Sequence, residues 1–180
     1  MSHVEWRVGG NKPKTLKGET KGGLHIRWAV FPRDLPEMLF IEKASSDDPL
    51  IEADFECYHQ QKRTLLLVAE INEKIVGFMI YKLQKPKLPI LNFAVHPDYR
   101  RQGIGRQMAE KIISKIPANH CDGIVIDVRE KNLDAQLFLR ACGFKATGIN
   151  REFYPDTGED AFVFEYKIPT LNCEIVSSGV

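Results

Sequence analysis

NFAVHPDYRRQGIGR, which spans Asn92–Arg106, carries the strongest pattern in this 180-residue chain. It begins at the end of a short apolar run, Leu88–Val95, whose β-branched and aromatic residues predict a buried strand. Pro97 ends that strand because proline cannot donate to a ladder of hydrogen bonds. A helix is then predicted from Ile104, since apolar residues recur at steps of three to five until Pro117. The stretch therefore predicts a strand, a loop that contains glycines and a helix, in that order.

A loop of this kind is suited to binding phosphate. The first amides of a helix have no partner within the helix, and the helix dipole adds roughly half a positive charge there. Gly103 and Gly105 let a phosphate approach the backbone, and Arg100, Arg101 and Arg106 add cationic donors. The alternative is a tight turn with solvated arginines, because short glycine motifs recur by chance.

Spacing excludes two common nucleotide-binding motifs. The chain contains no Gly-Lys-Ser/Thr, which a P-loop requires, and Met108 occupies the third glycine position of the dinucleotide fingerprint. What remains is the pattern R/Q-x-x-G-x-G/A, formed by Arg100, Arg101, Gln102, Gly103, Ile104 and Gly105. Behind a strand that ends in Ala-Val-His-Pro, this pattern resembles the acetyl-CoA loop of the GNAT N-acetyltransferase superfamily.

Composition is that of an ordinary globular protein. The hydrophobic fraction of 43% suits one core, and the net charge of +1 favours neither nucleic acid nor a membrane surface as a partner. The amino end lacks the apolar stretch of a signal peptide. The four cysteines are scattered without a CxxC, which argues against disulfides and zinc. We expect a cytoplasmic, metal-free protein that is a monomer or a homodimer and does not bind nucleic acid directly.

The order of predicted elements is strand, two helices, three strands, helix, strand, helix and two strands. This alternation predicts an α/β (α+β) fold, with one mixed sheet of about seven strands and helices on both faces. The superfamily shares this order across residues 24–168, and polar tails are expected at residues 1–23 and 169–180. Asp34 is expected to cap the first helix, and Asn150–Asp160 is expected to be a long loop.

The helix that follows Asn132 is predicted to bury Leu133, Leu137, Phe138 and Ala141. Asn132 can cap its first turn. The superfamily resemblance also implies that Asn132 contacts the cofactor, and both roles can hold together.

The resemblance further implies where acetyl-CoA binds. Phe93, Ala94 and Val95 would line the pantetheine arm, and residues 101–106 would hold the pyrophosphate. The strand is expected to splay from its neighbour beside Asn92–Val95, which would leave backbone donors for the thioester oxygen.

Within the superfamily, the chain most resembles the bacterial ribosomal-protein alanine N-acetyltransferases. IDVREKNLDAQLFLRACGF (Ile126–Phe144) and REFYPDTGEDA (Arg151–Ala161) carry this resemblance. Those enzymes have a glutamate as proton acceptor where this chain has Asp127, which is therefore the candidate base. An aspartate is one methylene shorter, so a bridging water can be required. A solvated aspartate, or one paired with Arg129, is the alternative.

The proton donor departs from the family pattern. The tyrosine that protonates the leaving thiolate falls at Leu139, which has no proton to donate. Tyr154 is the candidate substitute if its loop folds over the acceptor groove, and a loop-anchoring aromatic is the alternative. Tyr81 is a weaker candidate. The thiolate can also leave unassisted or through water, because a thiol is fairly acidic.

The acceptor is expected to be an amine. An α-amine titrates near ~7.7–8.0 and a lysine near ~10.4, so a short aspartate base favours the α-amine of a protein N-terminus. A ribosomal protein is one option for this acceptor. A small amine, a lysine side chain and a non-catalytic CoA-binding regulatory module are the alternatives.

Overall fold

The computed structural model describes residues 23–116 and 121–167, and its elements follow the predicted order. The predicted tails, except for Gly23, lie outside the described residues. The strands are β1 Leu24–Trp28, β2 Thr64–Ile71, β3 Lys74–Lys82, β4 Lys87–Val95, β5 Gly123–Arg129, β6 Lys145–Tyr154 and β7 Glu159–Lys167. The helices are α1 Leu35–Ser45, α2 Glu52–Gln60, α3 Ile104–Ile113 and α4 Leu133–Ala141.

One mixed sheet of seven strands, in the order β1-β2-β3-β4-β5-β7-β6, forms the centre of the described structure. Alternate residues of a strand point to opposite faces. In β2, Leu66 and Val68 therefore join a core with α1 and α2, whereas Leu67 and Ala69 join a second core with α3 and α4. The predicted mixed sheet with helices on both faces is confirmed.

β4 changes its partner and its orientation at Leu91. Its parallel pairing with β5 joins Lys87–Ile90 to Gly123–Ile126 and ends there. Ile90 and Asn92 face consecutive residues of β3, so Leu91 is an extra residue that forms a β-bulge. Ile90 accordingly packs in the α3–α4 core, whereas Ala94 packs in the α1–α2 core. Beyond the bulge, β4 continues to Val95 and β5 to Arg129 without pairing to each other, and this unpaired region is called the gap.

The long loop predicted for Asn150–Asp160 is wrong. β6 continues to Tyr154, and a short turn leads to β7 at Glu159. The strand contains a register shift between Asn150 and Tyr154, and Glu152 has a φ of 50°. The Asp160 carboxylate accepts the Glu152 amide at 2.9 Å and so stabilises this irregular segment. Polar residues and a bulge hid the alternation that normally identifies a strand.

The predicted buried side of α4 is also wrong in part. Leu133 is 62% exposed and Leu137 is 52% exposed, while Gln136 and Leu139 are buried. The Gln136 amide donates to the backbone carbonyls of Arg129 at 3.3 Å and Glu130 at 2.8 Å. These bonds satisfy the end of β5, which explains why a polar side chain faces the interior.

Asp34 does not cap α1 as expected. Its carboxylate, only 3% exposed, instead accepts hydrogen bonds from Arg27, Arg33 and the Val30 amide. Burial by itself raises the pKa of Asp34, but the two guanidinium groups lower it to about 2. Asp34 therefore ties β1 to the start of α1 through ion pairs.

Candidate active site

The gap between β4 and β5 presents backbone amides from β4. The His96 amide donates to the Val76 carbonyl of β3 at 2.9 Å, and the Val95 carbonyl accepts from the Arg100 side chain at 3.0 Å. Because successive peptide groups of a strand point to opposite edges, the amides of Val95 and Phe93 point away from β3. They therefore face the gap, where the sequence predicted free donors.

Ala94 differs from its two neighbours. Its side chain is 8% exposed and packs in the α1–α2 core, and the same alternation directs its amide toward β3. Of the three residues predicted to line the pantetheine arm, Phe93 and Val95 thus present donors to the gap, and Ala94 supports the strand from behind.

The loop between β4 and α3 has an exposed left-handed turn at its end. Gly103 has a φ of 81°, and an added Cβ there would meet nothing within 4 Å. The first hydrogen bond of α3 runs from the Gln107 amide to the Gly103 carbonyl, so the helix does not use the amides of residues 104–106. An exposed helix start with no side chain in front of it fits the pyrophosphate of a CoA-type ligand.

Gly105 also has a packing role that the sequence did not predict. An added Cβ would lie 3.2 Å from the Phe138 ring and 3.8 Å from the Phe93 ring. The two rings form an edge-to-face pair with centroids 5.7 Å apart. Gly105 therefore lets an aromatic wall pack against the start of α3. The sequence placed Phe138 on the buried side of α4 but did not reveal this wall.

The polar side chains of the loop differ in how firmly they are held. Arg100 bonds the Val95 carbonyl at 3.0 Å, Gln102 bonds the Asp98 carbonyl at 3.1 Å, and Arg106 bonds the Ala141 carbonyl at 3.3 Å. Arg101, with a side chain 86% exposed, forms only a solvent-exposed 3.2 Å pair with Asp134. Arg101 is therefore the arginine that can most easily turn toward an anion.

Ile104 and Asn132 use their side chains structurally. Ile104 is 1% exposed and packs in the α3–α4 core, so its backbone amide is the part that could meet a ligand. The Asn132 side chain accepts the Ala135 amide at 3.1 Å, which confirms the predicted cap.

Asp127 lies on β5 opposite the gap-facing end of β4. Its neighbours Ile126 and Val128 pack in the α3–α4 core, so Asp127 points to the face that α1 and α2 cover over β2–β4. Its carboxylate accepts the Asn150 amide at 2.9 Å. Burial raises the pKa of Asp127, and the bond from Asn150 partly offsets that effect.

Arg129 does not pair with Asp127, which removes one alternative for this aspartate. Its guanidinium instead bonds Asp156 at 3.0 Å and Glu159 at 3.5 Å. It also lies over the Tyr154 ring, 3.8 Å from the centroid, in a cation–π contact. The β6–β7 turn is thus fastened to the end of β5.

Tyr154 is held in the neighbourhood of Asp127 by this contact. Burial raises the pKa of Tyr154, Arg129 opposes the rise, and the Asp127 carboxylate adds to it. The phenol consequently stays protonated at neutral pH. Tyr154 therefore anchors the turn, and its protonated phenol is compatible with the predicted role of proton donor.

The other predicted proton-donor positions contribute differently. Leu139 is 2% exposed in the α3–α4 core, and Tyr81 is 1% exposed in the same core. Because Tyr81 packs in this core, it lies on the opposite face of the sheet from Asp127. Burial also strongly raises its pKa, so the structure does not support Tyr81 as a donor.

Glu42 was not anticipated from the sequence. This α1 residue is 3% exposed, and one of its carboxylate oxygens accepts both the Leu50 amide at 3.2 Å and the Asn92 side chain at 3.0 Å. Burial raises its pKa. Glu42 links the α1–α2 loop to β4 directly after the bulge, and an isolated glutamate in a helix gives no sequence signal for this role.

The sequence model of the acetyltransferase (GNAT) family matches residues 26–144. The chain belongs to this family. The acetyltransferase is 31% identical over 137 residues to the ribosomal protein bS18-alanine N-acetyltransferase of Escherichia coli K12, which covers 75% of this chain and 92% of the relative. It is an acyltransferase, an N-acetyltransferase whose cosubstrate is acetyl-CoA.

Solved structures agree with this assignment. The crystal structure of the E. coli ribosomal-protein-S18-alanine N-acetyltransferase matches the acetyltransferase with a TM-score of 0.72 and 29% identity, covering 81% of this chain and 94% of that one. Arabidopsis thaliana NAA60 in complex with acetyl-CoA matches with a TM-score of 0.71 over 81% and 100% of the two chains. At 17% identity, that second likeness concerns the fold.

Across residues 23–116 and 121–167, no group of three or more His, Cys, Asp or Glu side chains is arranged to hold a metal ion. The helices within those ranges are all too short or too polar to cross a membrane.

Proposed function

We propose that this enzyme acetylates the α-amine of a protein N-terminus, and that an alanine-initiated ribosomal protein is its acceptor. The observation that carries the proposal is Asp127, a half-buried carboxylate with a raised pKa beside the Tyr154 phenol at the open end of β4 and β5. The printed activity of the E. coli relative, at 31% identity, supports the choice of acceptor.

In this proposal, the gap and the loop bind acetyl-CoA. The amides of Phe93 and Val95 bind its pantetheine arm, and the amides of residues 103–106 bind its pyrophosphate. Arg101 adds a mobile positive charge, while Arg100, Gln102 and Arg106 mainly hold the loop in shape. Ala94 and Asn132 support the strand and the helix that border the cofactor.

Asp127 and Tyr154 would handle the protons. A raised pKa makes Asp127 a stronger proton acceptor than an ordinary aspartate. An α-amine releases its proton about 2.5 pH units below a lysine, a difference of roughly 3.4 kcal/mol that suits a carboxylate base. Tyr154 would donate a proton to the CoA thiolate as it leaves.

Peptides of matched sequence test the choice of acceptor. The purified enzyme is incubated with isotope-labelled acetyl-CoA and three substrates: a peptide with a free N-terminal alanine, the same peptide blocked at its N-terminus with an internal lysine, and a polyamine. Mass spectrometry should locate the label on the alanine nitrogen. Label on the lysine or the polyamine alone would replace the proposed acceptor with one of those amines.

A further inference from the structure

We propose that Asn150 is a positioning residue, whose side-chain amide holds the Asp127 carboxylate in the orientation that accepts a proton from the acceptor amine. The inference rests on the proposed function and deepens it, because it concerns how an aspartate can serve where the resembling enzymes have a longer glutamate.

The contact crosses a strand. Asn150 lies on β6, and its Nδ2 donates to Asp127 Oδ1 at 2.9 Å. β7 runs between the two strands: Asp127 pairs with Val163, and Asn150 pairs with Ala161, two residues earlier in β7. The Asn150 side chain therefore reaches diagonally over β7 to a residue with which its own strand has no backbone pairing.

The backbone around Asn150 is held in place from its other side. The register shift in β6 begins directly after Asn150. Asp160 bonds both the Glu152 amide and the Arg151 side chain, which secures the bulged segment to β7. Because Asn150 precedes a fixed bulge on a fixed strand, its amide can restrict the rotation of the Asp127 carboxylate.

The chemistry favours a neutral donor at this position. A bond to Oδ1 leaves Oδ2 to face the amine or a bridging water. An amide stabilises the carboxylate form without adding a positive charge, whereas a guanidinium would depress its basicity further. Arg129, the nearest cation on β5, is already engaged by Asp156 and Glu159.

Several ionisable groups lie on the elements around Asp127. Tyr154 lies on β6 and feels the Asp127 charge. On β7 the direct partner Val163 is apolar, and Glu165, two residues away, bonds Lys87 of β4 at 2.6 Å. On α1, the buried Glu42 is bonded to Leu50 and Asn92. Among the side chains on these elements, that of Asn150 donates a hydrogen bond to the Asp127 carboxylate.

Asn150 would support the transfer of the acetyl group from sulfur to nitrogen. The amine nitrogen forms a bond to the acetyl carbon while the carbon–sulfur bond breaks, and the sulfur keeps the electron pair as a thiolate. The nitrogen gives up one proton to Asp127, directly or through one water. Asn150 itself neither gains nor loses a proton.

Two variants of Asn150 and one control test the inference. Asn150→Ala should lower kcat/KM for the acceptor about tenfold, a fraction of what a whole general base contributes. The acidic limb of its pH–rate profile should move to higher pH, because the bond that lowers the pKa of Asp127 is lost. Asn150→Asp keeps the shape of the side chain but adds a like charge, so it should move this limb further. The KM for acetyl-CoA should not change, and Lys145→Ala, at the other end of β6, should match the wild type.

A ¹³C NMR titration of the Asp127 carboxyl carbon measures its pKa and tests the inference without enzyme turnover. The pKa of Asp127 should be higher in Asn150→Ala than in the wild-type protein, while that of the Lys145→Ala control stays in place. An unchanged Asp127 titration in Asn150→Ala overturns the inference even if the enzyme acetylates protein N-termini. A wild-type enzyme that acetylates no protein N-terminus overturns the proposed function. The NMR comparison then still shows whether the Asn150 side chain controls the Asp127 carboxylate.

Discussion

The proposed phosphate-binding loop and the proposed proton-transfer cluster of this enzyme differ in how the chain assembles them. The loop is a contiguous stretch, residues 100–106, that uses main-chain amides and a left-handed glycine. The cluster combines Asp127 of β5 with Asn150 and Tyr154 of β6. Asp127 and Asn150 are more than 20 residues apart in the sequence and meet across β7.

This difference predicts two separable kinds of defect. Variants in the loop should weaken CoA binding and leave the pH dependence alone, because backbone amides do not titrate. Variants in the cluster should change the pH dependence and leave CoA affinity alone.

Asp127→Asn should have the largest effect. A general base contributes about 10²–10⁴-fold, so kcat should fall by at least about a hundredfold. Because the pKa of Asp127 is raised, wild-type activity should disappear as the pH falls through that raised value, and the variant should lose this acidic limb. Steady-state rates measured from the most acidic pH at which both proteins stay folded up to alkaline pH report both effects.

Stability gives the control for Asp127→Asn. A carboxyl whose pKa is raised on folding opposes folding once the pH exceeds its unfolded value, so removing the charge should not lower Tm at neutral pH. A folded variant with the wild-type pH profile would remove Asp127 from the mechanism.

Gly103→Ala should weaken CoA binding about tenfold, equal to about 1.4 kcal/mol. A side chain in the left-handed conformation costs about 1–2 kcal/mol in stability, and its Cβ would stand before the exposed amides. Gly158→Ala is a matched control, because Gly158 also has a positive φ of 66° and open space around it. Both variants should lower Tm, whereas calorimetry should show weaker CoA binding in Gly103→Ala alone.

Tyr154→Phe should lower kcat about tenfold, less than the loss of the base, because a thiolate leaves readily without help. The ring remains under Arg129, so the turn keeps its anchor. A pre-steady-state measurement of CoA release isolates the step. If the rate and its solvent isotope effect match the wild type, Tyr154 is an anchor and not a donor.

Arg101→Ala should have the smallest effect, a rise in the Kd for CoA of about threefold to fivefold that shrinks at high salt. Asp134→Ala releases Arg101 from its exposed partner and should lower Kd slightly. Opposite shifts in the two variants would sharpen the assignment of Arg101 to the loop. Equal shifts, or a change in pH dependence, would contradict it.

Several features of the site were predictable because they are local. The Asn132 cap and the start of α3 depend on residues within one turn of each other. The prediction errors concern positions whose burial depends on residues that are distant in the sequence. Leu133 and Leu137 fit an apolar helical face, but the unsatisfied carbonyls at the end of β5 drew Gln136 inward instead.

The role of Gly105 shows the same limit within the loop itself. The sequence suggested that both glycines serve the phosphate. Gly105 also makes room for Phe138, which lies more than 30 positions away in the chain and reaches α3 only through the packing of α4.

Local sequence patterns were sufficient to predict the order of the elements, the sheet with helices on both faces and the glycine-containing loop before α3, because periodicity, glycine and helix ends act over a few residues. Long-range strand pairing was needed to establish which amides of β4 face the gap and which partner Asp127 takes. A single bulged residue, Leu91, sets the first, and the alignment of β5, β7 and β6 sets the second. Both depend on strand register, which pairs residues far apart in the chain.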